Sequence, residues 1–193
     1  SALFSDPDEA VVAKGLNAFE NALRCARAMD IDNVLLVPAK VTPQVRYADA
    51  YERSQKNIRK VIPLAEELKV VIAVENVWND FLLSPLEFAR YVDEFESPYV
   101  KAYFDCGNIV KYGYPQDWIR TLGPRINRIH LKDYSRKDKD WKPLREGEVN
   151  WPEVRKALAE VGYTGFCTAE VAGGGEEHMK DLAQRMTLIA TGQ

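Results

Sequence analysis

Four short apolar runs in this chain each end on a residue able to hold a metal ion or move a proton. Their spacing leaves few folds open. Val70-Val71-Ile72-Ala73-Val74 ends in Glu75, Val100-Lys101-Ala102-Tyr103-Phe104 in Asp105, Ile126-Asn127-Arg128-Ile129 in His130, and Phe166-Cys167-Thr168-Ala169 in Glu170. The four end residues are 30, 25 and 40 positions apart, close to the length of a strand plus a crossover helix. If the runs are parallel strands of one barrel, all four side chains converge on its C-terminal face, where such barrels carry out their chemistry. Three carboxylates and an imidazole meeting there form a hard, oxygen-rich site for a divalent ion. A single strand ending in Glu is usually no more than a solvated strand end, but four placed alike are harder to dismiss.

The segments between the runs read as helices. Ser5-Asp6-Pro7-Asp8-Glu9 is a helix start, and Val11, Val12, Leu16, Phe19, Leu23, Ala26 and Met29 continue it at helical spacing. Val34-Leu35-Leu36-Val37 reads as a strand buried on both faces, 47–68 as a long amphipathic helix, and Ser84-Pro85-Leu86-Glu87 as a capping box opening a third helix. Helices are also expected over 115–122, 151–161 and 176–189, whereas the charged stretch from Lys132 to Lys142 reads as a long exposed loop. Strands alternating with helices, without hairpin signals, imply an α/β fold with a parallel sheet. An open doubly wound sheet would want a glycine-rich turn after its first strand, and Pro38-Ala39-Lys40 is not one. A TIM (β/α)8-type barrel is therefore expected, as a single domain over residues 1–193. Only five strands are legible where a closed barrel needs eight, so the chain reads as the C-terminal part of a barrel lacking its first three strand-helix units. Open edges rich in Val, Leu and Phe invite pairing, so either further strands precede Ser1 or copies of the chain associate, and a homo-oligomer is expected.

Bulk composition excludes several classes. A formal charge of -3 argues against a nucleic-acid partner, which would usually require a basic face. No apolar stretch approaches the length of a bilayer span, so no membrane partner is expected. Cys25, Cys106 and Cys167 are too widely spaced for a disulfide framework or a zinc ribbon. They suit a reducing, cytoplasmic setting.

The chain resembles the sugar-phosphate isomerases and epimerases of the xylose-isomerase-like TIM-barrel superfamily, the ketose 3-epimerases in particular. The resemblance rests on Val74-Glu75-Asn76, Phe104-Asp105-Cys106-Gly107-Asn108, Ile129-His130-Leu131-Lys132-Asp133, the segment 145–151 and Thr168-Ala169-Glu170-Val171. It implies one divalent metal bound by Glu75, Asp105, His130 and Glu170, with Glu75 and Glu170 moving protons on opposite faces of the substrate. Manganese suits this mostly carboxylate set best, with magnesium, cobalt or zinc as alternatives. The resemblance also implies that Arg136 contacts the reacting end of a small sugar or sugar phosphate. Asn108 stands where many relatives have a histidine, a departure that removes a hydrogen-bonding group from the pocket. Lys132 and Trp78 are further candidates to line the substrate pocket. Gly173-Gly174-Gly175 lies where barrels often hold phosphate on backbone N–H groups, although a bare glycine run is more often a turn.

The chemistry follows from the residue types. Removing a proton beside a carbonyl leaves an enediolate, whose oxygens need a fixed positive charge, and a carboxylate on either side of the carbon lets one accept a proton while the other returns it. The expected activity is therefore metal-dependent isomerisation or epimerisation of a ketose or ketose phosphate. A dehydratase or hydroxypyruvate-type isomerase on the same scaffold, or a non-catalytic barrel piece that binds metal or sugar, remain as alternatives. With two histidines in the whole chain, the trizinc endonucleases of the same superfamily do not fit.

Overall fold

The computed structural model describes residues 3–193. The chain divides into two compact units, one ending at Tyr103 and the other running from Phe104 to Gln193.

In the first unit, Asp8 caps α1 (Glu9–Ala28) by accepting the Ala10 N–H. The stripe of Val12, Phe19, Leu23 and Ala26 is buried, as the helical spacing requires. Next come β1 (Asn33–Leu36), α2 (Tyr47–Leu68), β2 (Val71–Glu75), α3 (Pro85–Asp93) and β3 (Val100–Asp105), whose last two residues open the second unit. β1, β2 and β3 are parallel neighbours in that order, with Leu36 opposite Val74 and Glu75 opposite Tyr103. Ile72, Ala73 and Val74 are completely buried, as expected of a strand with a neighbour on each side. β1 differs from expectation: within its unit it pairs on one side only, and three of its four residues are half-buried. Ser84 caps α3 by accepting the Glu87 N–H at 3.1 Å.

The loop after β2 is tightly tied. The Asn79 amide donates to Ala39 O at 2.7 Å, and Asn79 O accepts the Val41 N–H. Tyr47 Oη accepts the Leu82 N–H at 2.9 Å and donates to Glu87. These contacts hold Asp80 and Leu82 in the left-handed region, at φ 58° and 55°, a conformation that surrounding structure must impose on such residues. Phe81 is buried against Tyr47, Tyr51 and Tyr91 as core packing, leaving Trp78 part-exposed.

In the second unit, β3 leads into α4 (Cys106–Val110) and α5 (Pro115–Leu122), then β4 (Ile126–Leu131), β5 (Asp133–Ser135), β6 (Asp140–Lys142), α6 (Trp151–Glu160), β7 (Cys167–Ala169) and α7 (Glu176–Thr191). β4 and β7 are parallel, with His130 opposite Thr168 and Leu131 opposite Ala169. All five strands expected of the β/α alternation are present.

One expectation fails here. The stretch from Lys132 to Lys142 is not an exposed loop but carries the antiparallel β5–β6 hairpin, with Asp133, Tyr134 and Ser135 buried. The reason is Asp133, whose carboxylate accepts the N–H groups of Arg145 and Val149 and the indole N–H of Trp151 at 2.9–3.1 Å. The charges that made the stretch look solvated occupy the outer strand and the turn, while its first residues are held inward. A short helix, α4, also follows β3 directly. Asp105 caps it, accepting the Asn108 N–H at 2.6 Å. Gly107 is needed in α4 because a Cβ there would lie 2.6 Å from Lys132 O.

The three cysteines are free thiols in different surroundings: Cys25 is exposed, Cys167 half-buried and Cys106 buried. Burial pushes the Cys106 thiol well above its usual range, and the Asp105 carboxylate adds to the effect. Because the thiolate is the reactive form, native protein treated with iodoacetamide at pH 8 is expected to be alkylated at Cys25 and unmodified at Cys106 until it is unfolded. Peptide mass spectrometry reads this out, and early labelling of Cys106 would contradict the packing described.

Candidate metal centre

The second unit builds a cluster from three strand ends. Asp105, the last residue of β3, is completely buried, and one of its carboxylate oxygens is fixed by capping α4. His130 points from β4 and is 8% exposed. Its Nδ1 lies 3.9 Å from Asp105 Oδ2 and 3.8 Å from Glu170 Oε2. Glu170 follows β7, where its backbone N–H donates to Leu131 O and continues the β4–β7 register by one residue. Asp105, His130 and Glu170 each offer a ligand atom within 4.8 Å of the others. Two carboxylates and an imidazole at that spacing suit a hard or borderline divalent ion.

Lys132 neutralises part of the negative charge. Its Nζ donates to Glu170 Oε2 at 2.8 Å and sits 4.2 Å from the centre of the Trp141 ring. Partial burial pushes the Glu170 carboxyl up. The hydrogen bond it accepts from Lys132, with the charges of Lys132 and His130, outweighs this and holds it below the usual carboxylate range.

The other expected residues have different surroundings. Glu75 ends β2 in the first unit, buried at 4% exposure opposite Tyr103, and Asn76 beside it is also buried. Asn108 is buried in α4, bound through its N–H to Asp105. Arg136 is tied to Glu148 at 3.4 Å and lies over the Tyr114 ring at 5.0 Å. Trp78 stands on the loop of the first unit that Asn79 pins. His178 is exposed, but its ring nitrogen meets Ala172 O at 2.9 Å and the ring closes over Gly174.

Sequence reading missed Trp141. It belongs to β6, with its ring against Tyr134 and Lys132. It also borders a cavity of about 530 Å³ that Glu170 and Lys132 share. The available signal was a pair of aromatic residues, Tyr134 and Trp141, in a mostly charged run, which gains meaning only once the hairpin folds.

A family model described as a xylose isomerase-like TIM barrel matches residues 2–189. The chain is 26% identical over 175 residues to a putative L-ribulose-5-phosphate 3-epimerase of Escherichia coli K12, covering 87% of this chain and 61% of that protein. It is 34% identical over 115 residues to a 2-epi-5-epi-valiolone 7-phosphate 2-epimerase of an Actinoplanes species, covering 56% of this chain and 41% of the relative. Among solved structures, a D-psicose 3-epimerase in the presence of D-fructose superposes with a TM-score of 0.76 at 22% identity, covering 98% of this chain and 72% of that one. The chain thus spans less than two thirds of the length of these two curated relatives.

Proposed function

The chain belongs to the xylose isomerase-like TIM barrel family, and from that premise we propose that it works as a metal-dependent epimerase or isomerase of a ketose or ketose phosphate. The observation that carries this reading is the mutual approach of Asp105, His130 and Glu170 at the ends of β3, β4 and β7. Glu75 is proposed as the fourth ligand, since it is buried at the end of β2 and its strand partner Tyr103 precedes Asp105 by two residues on β3. A divalent ion in this site, manganese by preference, would supply the fixed positive charge that an enediolate requires.

The protein's own groups account for the proton movements. Glu75 takes the proton from the carbon beside the carbonyl, and Glu170 returns one from the opposite face. Lys132 Nζ, bonded to Glu170 Oε2, keeps that carboxylate oriented and lines the substrate side with Trp78, Asn108 and Arg136. The substrate is a small sugar, with neither nucleic acid nor a bilayer involved, and among the described residues no helix is long and apolar enough to cross a membrane. A cytoplasmic setting fits the three free thiols. Association of copies, as a homo-oligomer, fits the edge of β1 that pairs on one side only within its unit.

The test is solvent exchange. With manganese and a panel of ketoses in D₂O, deuterium should enter at the carbon next to the carbonyl, and the ion should raise the melting temperature of the wild type but not of His130→Ala. Turnover without exchange would point to a hydride shift, and exchange with no ketose in the panel would refute the reading.

A further inference from the structure

The cavity shared by Glu170 and Lys132 lies between the β5–β6 hairpin, the loop after β7 and α7. At about 530 Å³ it is of the size that holds small ligands. Its walls are largely apolar: Trp141, Pro143, Leu144, Val171, Ala172 and Leu182. Its charges balance, since Lys132, Lys142 and Arg185 face Asp133, Glu170 and Asp181, with His178 between.

Every one of those cations already has a partner. Lys132 is bonded to Glu170 at 2.8 Å, and Lys142 to Asp138 at 2.9 Å. Arg185 is bonded to Asp181 at 2.6 Å and to Glu146 at 2.7 Å, and it also donates to Leu144 O at 2.8 Å. The glycine run that the sequence offers as a phosphate cradle is closed by His178, whose ring lies 2.6 Å from where a Cβ on Gly174 would stand. A phosphate entering here would have to take a cation from a carboxylate and leave that carboxylate beside it, a like-charge contact. Apolar walls and an aromatic ring suit the C–H surface of an uncharged sugar end.

We propose that this cavity receives the distal end of an unphosphorylated sugar, with Trp141 and Leu182 as the side chains that set this preference. The inference rests on the sugar-epimerase reading and narrows its substrate class. Calorimetric titration of the manganese-loaded protein with a free ketohexose and with its terminal phosphate tests it. The free sugar is expected to bind at least tenfold more tightly, Trp141→Ala to weaken that binding about tenfold, and Leu182→Lys, which adds an unpaired cation, to narrow or reverse the preference. Equal or tighter binding of the phosphate overturns the proposal, as does binding of neither sugar. Deuterium exchange is measured separately, so a sugar that binds as expected without exchanging would refute the epimerase reading and leave the cavity assignment standing.

Discussion

Glu170→Gln is expected to lower ketose turnover by about 10²- to 10⁴-fold, the usual range for a positioned proton-transfer group, while leaving the fold intact. Glutamine keeps the shape of the side chain but can neither accept nor return a proton near neutral pH. The structural cost is small because the Glu170 side chain is 45% exposed. Its pairing with Lys132 is a part-exposed ion pair, a kind of contact that contributes roughly 0–1 kcal/mol. A melting temperature within a few degrees of wild type, together with lost turnover and lost deuterium incorporation, is therefore the expected pattern. Unchanged turnover would remove Glu170 from the proton-transfer pair. Unfolding of the variant would mean that Glu170 contributes more to structure than its exposure indicates.

The largest expected effect on stability lies outside the metal cluster, at Asp133. Its completely buried carboxylate gathers the N–H groups of Arg145, Val149 and Trp151 and thereby fixes the segment between the β5–β6 hairpin and α6. Burial pushes this carboxyl above its usual range, and the donors work against that shift. Asp133→Ala would leave four donors, the adjacent Tyr134 N–H among them, without their acceptor. At about 1–3 kcal/mol for each unsatisfied group, with some relief from relaxation and water entry, the expected loss is about 3–5 kcal/mol. Asp133→Asn keeps one acceptor oxygen and should lose less. Urea titration read by far-UV circular dichroism gives both values, and an Asp133→Ala midpoint equal to wild type would show that the segment is held by other means. Gly147 gives the same contact a second probe, because any Cβ on it would collide with the Asp133 carboxylate.

Much of this was legible along the chain. The alternation of apolar runs with helical stripes named the strands and most helices, because parallel β/α units bury residues at two distinct periods that neighbouring residues reveal. The caps at Asp8 and Ser84 were legible for the same reason, since each acts within three residues of itself. The cluster residues were legible as strand-end positions: Asp105, His130 and Glu170 each close an apolar run, and the structure brings their ligand atoms within 4.8 Å of one another.

What the chain did not disclose depends on contacts between distant residues. The hairpin at 133–142 looked like a solvated loop because its charges are local, while the acceptor role that folds it draws donors from 12 to 18 residues away. Trp141 took on a place beside Lys132 and Glu170 only through that hairpin. Cation pairing in the cavity joins residues as far apart as Lys132 and Glu170, or Arg185 and Glu146, so whether a positive charge is free for a phosphate could not be read from composition. The sequence by itself determined which residues could bind a metal and on which strands they stand, because that follows from residue type and short-range periodicity. Only the tertiary structure decided which charges are already matched and which walls are apolar, because both depend on distances between segments that the order of residues does not specify.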